Sequence, residues 1–97
     1  MREYEVTIVI KTSLDDDARN EVIEQVAGWL NPGGAEEAAP KINHWGQRSL
    51  AYEIEKERDG YYVMYEATVA PEQINAVERQ ILYEDNILRH LVVRKDE

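Results

Sequence analysis

The segment 45–62, WGQRSLAYEIEKERDGYY, constrains the fold of this chain more than any other stretch of its sequence. Large side chains stand at every second position from 48 to 54, and a period of two predicts a β-strand. The polar run 57–60 predicts a turn, after which Tyr61 and Tyr62 begin a returning strand. The segment therefore predicts a β-hairpin whose arginines and aromatic rings are more typical of a contact surface than of a lid.

Length and composition limit the classes of protein that remain. The 97 residues are enough for a single core, and we expect one domain over residues 1–97. The chain has no cysteine, which excludes disulfides, thiolate metal sites and a thiol nucleophile. Two histidines, His44 and His90, do not make a metal site by themselves, and no cofactor is expected. Because no apolar run approaches the roughly 18 residues of a membrane span and the N-terminus lacks signal-peptide order, we expect a cytoplasmic protein.

The net charge of −9 argues against nucleic-acid binding when it is taken alone. Its distribution is uneven, however. Residues 12–40 contain seven acidic residues and one basic residue, whereas residues 86–95 contain three basic residues and no acidic one. The basic residues lie mainly on predicted strands and the acidic ones on predicted helices, so the sequence predicts a molecule with two electrostatically different faces.

Periodicity and end signals divide the chain into six elements. The first helix shows apolar residues at three- and four-residue steps, with Ser13 as its predicted N-cap and Asp16 completing a capping box. Pro71 suits the first turn of a second helix. The predicted strands cover residues 4–10, 42–54, 61–69 and 87–93, and residues 31–41 form a loop that stops the first helix.

The resulting order, β-α-β-β-α-β, predicts an α+β fold of the ferredoxin-like, split β-α-β type. We expect a four-stranded antiparallel sheet with the first and third strands in its centre and both helices on one face. The other face is then open, and its side chains must be polar or contact a partner. Tyr61 and Tyr62 point to opposite faces, so one of them is expected in the core and the other at the surface.

Signals for catalysis are weak. No carboxylate pair is placed in an apolar pocket, Ser13 and Ser49 lack a nucleophile motif, and the acidic run 15–17 suits the positive end of a helix better than a metal. Arginines and aromatics on a sheet suit phosphate contact and base stacking. The alternatives stay open, since some of these rings must form the core and Arg48 can pair with a neighbouring glutamate.

Four blocks of sequence resemble one known family. They are residues 1–5 (MREYE), 45–56 (WGQRSLAY followed by Ile54 and Lys56), 60–62 (GYY) and 85–93 (DNILR followed by Val92 and Val93). In this order and spacing they are similar to bacterial ribosomal protein S6, the sixth protein of the small subunit. The resemblance extends from Met1 to about Lys95. Gln47 departs from it, because many relatives have a basic residue there.

The resemblance implies a ferredoxin-like ribosomal protein without catalytic activity. It implies a ribosome-associated, cytoplasmic protein that is a monomer when free and forms a heterodimer with ribosomal protein S18. The pair would bind the central domain of small-subunit ribosomal RNA, in the platform. A strongly basic partner would also explain how an acidic chain joins RNA.

The matched blocks also assign residues to the two contacts. RNA contact is expected for Arg2, Arg48, Lys56, Arg89 and Arg94, with Tyr4 and Trp45 as packing or stacking neighbours. Partner contact is expected for Leu50, Tyr52, Glu53 and Tyr61, all from the long hairpin.

Two other classes share the predicted element order. One is a stand-alone ligand-binding or regulatory module that acts as a homodimer, with a pocket at the subunit interface. The other is a small enzyme of the acylphosphatase type, which needs an anion-cradling loop and an arginine after the first strand. Residues 11–14 (KTSL) run directly into acidic residues here, which counts against the enzyme.

Overall fold

The computed structural model describes residues 1–95, and its elements follow the predicted order. They are β1 (Arg2–Lys11), α1 (Asp16–Leu30), a 3-10 turn (Glu36–Ala38), β2 (Lys41–Ile54), β3 (Glu57–Val69), α2 (Pro71–Leu82) and β4 (Ile87–Arg94). The 3-10 turn lies in the segment predicted as a loop.

The four strands form one antiparallel sheet in the order β2-β3-β1-β4. The first and third strands are therefore central, as predicted, and the ferredoxin-like α+β class is confirmed. Both helices pack on the same face. The Tyr65 hydroxyl in β3 donates a hydrogen bond to the Ile23 carbonyl oxygen in α1 at 2.8 Å. The two helices are joined by Gln73 of α2, whose Nε2 donates to the Trp29 carbonyl oxygen in α1 at 3.0 Å.

The core lies between this face of the sheet and the two helices. Alternate residues of β1 and β3 point into it, as do the apolar stripes of the helices; its fully buried members include Val6, Ile8, Ile10, Val26, Leu30, Val63, Tyr65, Val77 and Ile81. Each such aliphatic side chain stabilises the fold by roughly 1.5–3 kcal/mol through burial. Burial also raises the pKa of the Tyr65 hydroxyl, with the nearby Glu24 carboxylate adding to the shift, so the hydroxyl keeps the proton that it donates to Ile23.

The start of α1 differs from the prediction. The N-cap is Asp15, whose Oδ1 accepts a hydrogen bond from the backbone N–H of Ala18 at 2.8 Å, and Ser13 lies outside the helix. Leu14 explains the shift, because it packs against the core just before the helix begins. The acidic run therefore caps α1 and occupies its first turn, where carboxylates offset the helix dipole.

The hairpin turn also differs from the prediction. It consists of Glu55 and Lys56, with φ values of 48° and 68°, and β3 already begins at Glu57. Positive φ at both loop residues suits a two-residue hairpin, because such a turn follows the right-handed twist of its strands. The predicted turn 57–60 is wrong because Gly60 serves packing within β3: a Cβ at Gly60 would overlap Cγ1 of Val9.

We expect Gly60→Ala to lower the free energy of unfolding by about 1–3 kcal/mol, because the added methyl group must displace Val9 and also meets Cδ2 of Leu50 at 3.3 Å. Urea denaturation measures this change. Gly33→Ala is the matched control, since nothing lies within 4 Å of its added Cβ, and its effect should stay within about 0.5 kcal/mol. Equal effects of the two substitutions would contradict the close approach of β1 and β3 at Gly60.

Candidate functional site

The face of the sheet opposite the helices carries an exposed mixture of apolar and basic side chains. We call it the open face. Residues directly opposite one another in a ladder share a face, and the register places Thr7 beside Leu91 and Val9 between Tyr62 and Arg89. Met64 and Val93 complete the same face through their pairing with Thr7 and Glu5. No helix in the described part of the chain covers these residues.

A β-bulge decides which residues of β2 reach the open face. The register shifts between His44 and Gly46, which leaves Trp45 as an extra residue, and Gly46 adopts a φ of +88°. Before the bulge, His44 lies opposite Val63 on the helix side. After it, Arg48 lies opposite Gly60 on the open face. The bulge thus turns Arg48 toward the face that the helices leave uncovered.

A shallow cleft of about 370 Å³ lies in the open face, and we call it the open-face cleft. Its walls are formed by Thr7, Val9, Trp45, Tyr62, Arg89, His90 and Leu91. Leu91 is 61% exposed and Trp45 is 43% exposed, although both are large apolar side chains. A contiguous apolar surface with a polar rim is typical of a site that binds another molecule.

Two arginines flank the open-face cleft, and each contacts an aromatic ring. The Arg48 guanidinium lies 5.7 Å from the centre of the Trp45 ring. The Arg89 guanidinium lies 5.4 Å from the centre of the Tyr52 ring and donates a hydrogen bond from Nη1 to the Tyr52 hydroxyl at 2.7 Å. Both arginine side chains remain exposed, so their charges are available at the surface.

The residues expected to contact RNA occupy three places. Trp45, Arg48 and Arg89 come together on the open face, and Lys56 lies in the turn of the hairpin. Arg2 and Arg94 lie at the opposite end of the sheet, where β1 begins and β4 ends.

Of the two roles expected for Tyr4, packing and stacking, only packing fits its position. Its side chain is only 6% exposed and belongs to the core, so it is a packing residue and its ring cannot stack on an RNA base. The physical reason is the strand alternation, which gives Tyr4 the same inward direction as Val6 and Ile8.

The residues expected to contact the partner are divided between the two sides of the sheet. Leu50, Tyr52 and Glu53 belong to the segment 50–53, where the β2–β3 register is interrupted. Tyr61 instead points to the helix side. There the Arg19 guanidinium lies 4.2 Å from the centre of its ring, and its hydroxyl is 3.1 Å from Nδ1 of His44.

Sequence reasoning missed several open-face residues. Tyr61 and Tyr62 point to opposite faces, as predicted, but neither is fully buried, since Tyr61 only packs against the edge of the core. The one on the open face is Tyr62, which was not assigned to either contact. Leu91 and Val93 were missed as well. A signal for them exists in the sequence, because β4 has aliphatic residues at consecutive positions 91–93, which puts apolar side chains on both faces of an edge strand.

Two ion pairs near the sheet involve residues outside the open-face cleft or at its border. His90 borders the open-face cleft, but its side chain points to the helix side, where Nε2 lies 3.3 Å from Oε2 of Glu78 in α2. Lys11 Nζ lies 3.6 Å from Oε1 of Glu55. Within residues 1–95, no group of three histidine or carboxylate side chains is placed to hold a metal ion. None of the helices in these residues has the length and apolar character to cross a membrane.

Comparison with known proteins gives concordant results. The family described as Ribosomal protein S6 matches residues 3–94. Small ribosomal subunit protein bS6 of Carboxydothermus hydrogenoformans is 35% identical over 96 residues, which covers 99% of this chain and 98% of that protein. The crystal structure of 30S ribosomal protein S6 from Thermotoga maritima has the same fold, with a TM-score of 0.85 and 22% identity over 97% of this chain and 87% of that one.

Proposed function

The chain belongs to the ribosomal protein S6 family of the small ribosomal subunit, and we propose that it binds the central domain of small-subunit ribosomal RNA as a heterodimer with ribosomal protein S18. It acts there as a structural component without catalytic activity. The observation that carries this proposal is the open face, where an exposed apolar cleft is flanked by two arginines on a chain of net charge −9.

The arginines at the edges of the open-face cleft are suited to RNA. A guanidinium offers five N–H donors in a planar arrangement that matches phosphate oxygens, and it stays charged at any relevant pH. Arg48 and Arg89 are exposed, and Trp45, which lies beside Arg48 and shares the cleft with Arg89, has a partly exposed ring on which a base can stack. Lys56 adds a charge in the hairpin turn, and Arg2 and Arg94 add two at the other end of the sheet.

The apolar part of the cleft is suited to a protein. The apolar surface consists of Tyr62, Leu91 and Val93, which offer no charge for a phosphate. Its burial against another apolar surface lowers the free energy of the system. The seven carboxylates of residues 12–40 attract a basic partner and speed its association. RNA and partner therefore meet on adjoining parts of one face, which makes each contact more favourable when the other is present.

Charge reversal tests the RNA contact. We expect Arg48→Glu and Arg89→Glu, in the presence of S18, to weaken binding to a central-domain RNA fragment and to reduce the slope of log affinity against log salt concentration by about one unit per lost phosphate contact. Filter binding over a series of salt concentrations measures both quantities.

Arg79→Glu is the control for that experiment. It changes the net charge by the same amount, but Arg79 is an exposed residue in the last turn of α2, on the side of the molecule that carries the helices. Its salt slope should equal that of the wild type. Wild-type slopes for the Arg48 and Arg89 variants would show that these two residues do not contact phosphates.

Substitution of a cleft residue tests the partner contact. We expect Leu91→Asp to weaken binding to S18 by about tenfold or more, because a carboxylate at an apolar interface loses its hydration without gaining a partner. Leu82→Asp is the matched control, since Leu82 is 70% exposed at the end of α2, and it should bind S18 with wild-type affinity. Isothermal titration calorimetry measures both affinities.

The same variant separates the proposal from the alternative of a homodimeric module. If the open-face cleft joins two copies of this chain, the wild type sediments as a dimer and Leu91→Asp as a monomer. The proposal requires a monomer in both cases, and a stable wild-type dimer that dissociates in the variant would contradict it.

A further inference from the structure

The segment 50–53 of the hairpin connects the two edges of the sheet. The β2–β3 ladder is regular as far as Ser49, which pairs with Asp59, and resumes only at Ile54, which pairs with Glu57. Four residues of β2 thus lie opposite a single residue of β3. Because this segment does not pair regularly with β3, the Tyr52 hydroxyl lies 2.7 Å from Nη1 of Arg89. Arg89 belongs to β4, which is the edge strand opposite β2 in the sheet.

The packing below this contact allows the segment to reach Arg89. Gly60 leaves room for the side chain of Val9, which would collide with a Cβ at that position, and for Leu50, whose Cδ2 would lie 3.3 Å from it. The Lys11 and Glu55 ion pair joins the end of β1 to the hairpin turn. Tyr52 and Arg89, which are 37 residues apart in the sequence, therefore meet only in the folded protein.

Tyr52 restrains the Arg89 side chain in two ways. Its ring lies 5.4 Å from the guanidinium carbon, and its hydroxyl oxygen accepts one N–H of the guanidinium. Of the five N–H donors of an arginine, four remain for another acceptor. The hydroxyl accepts through its oxygen, so its own proton also remains available to an acceptor that approaches Arg89.

We propose that Tyr52 and Arg89 form one phosphate-binding site, in which Tyr52 holds the guanidinium in place and donates its O–H to the same phosphate group. This inference rests on the proposed function and moves Tyr52 from the partner surface to the RNA surface. A phosphate does not need to displace the phenol, because a two-pronged contact with arginine requires only two of the four remaining N–H groups. A restrained arginine also loses less side-chain freedom when it binds.

The test uses Tyr52→Phe, which keeps the ring and removes only the hydroxyl. With S18 present, we expect this variant to bind a central-domain RNA fragment about three- to tenfold more weakly than the wild type, with an unchanged salt slope because no charge is lost. Its affinity for S18 alone should be unchanged. Tyr83→Phe, which removes an exposed hydroxyl after α2, is the matched control and should bind RNA as the wild type does.

The double variant shows whether the two residues act together. In an Arg89→Gln background, removal of the Tyr52 hydroxyl should weaken RNA binding by a smaller factor than it does in the wild type, because no guanidinium is left to position and only the hydroxyl's own hydrogen bond to the phosphate is lost. Thermal unfolding of each variant checks that the fold is kept, since both residues are exposed and neither belongs to the core.

Several results would overturn the inference. Equal loss from Tyr52→Phe in both backgrounds would mean that the hydroxyl acts independently of Arg89. Tighter RNA binding by Tyr52→Phe would mean that the hydroxyl competes with phosphate. Loss of S18 affinity would return Tyr52 to the partner surface. If Arg89→Gln weakens RNA binding and Tyr52→Phe does not, the proposed function stands and only this inference fails. If the wild-type heterodimer does not bind the RNA, both fail.

Discussion

Two helices cover only one face of a four-stranded sheet in this protein, and its surface chemistry follows from that constraint. The covered face must be apolar to make the core, so β1 and β3 bury alternate side chains such as Ile8 and Val63. The residues between them point the other way and have no cover within residues 1–95. Several of them are apolar, including Leu91 and Tyr62. Exposure of these side chains to water is unfavourable in free energy, and a partner that covers them removes this exposure.

The same one-sided arrangement separates the charges. Acidic residues cap and line α1 on the outside of the helical layer, while Arg48 and Arg89 flank the open-face cleft. An acidic helical layer disfavours the approach of a nucleic acid to that side, and a negative net charge speeds the approach of a basic protein over long range. The negative net charge and an RNA-binding role are therefore compatible, provided that the contact is confined to the open face and the partner supplies much of the attraction.

Much of the fold could be predicted from the sequence because the signals for it are local. Alternation gave the strands, three- and four-residue steps gave the helices, and their order predicted a sheet with β1 and β3 in its centre. The failures depend on contacts between distant residues. Gly60 was predicted to lie in a turn, but it is a strand residue that makes room for Val9. Ser13 was predicted as the N-cap of α1, but Asp15 has that role because Leu14 packs on the core.

The candidate site was harder to predict for a related reason. The side of the sheet that a residue faces depends on register, and the bulge at Trp45 reverses the direction of residues 46–49 in β2. Tyr61 faces α1 because it alternates in register with the buried Val63, and Tyr4, which lies in one of the matched sequence blocks, is part of the core for the same reason. The contact between Tyr52 and Arg89 has no sequence signal at all, since the interrupted ladder that permits it is a property of the folded hairpin.

A single binding titration shows whether this protein and S18 bind the RNA only as a pair. A labelled fragment of the central domain of small-subunit ribosomal RNA is titrated with this protein, with S18, and with both together, at fixed near-physiological salt. We predict weak binding by this protein alone and tight binding by the pair, with all three components in one complex. Failure of the folded protein to join the RNA complex in the presence of S18, or equally tight binding without S18, would contradict it.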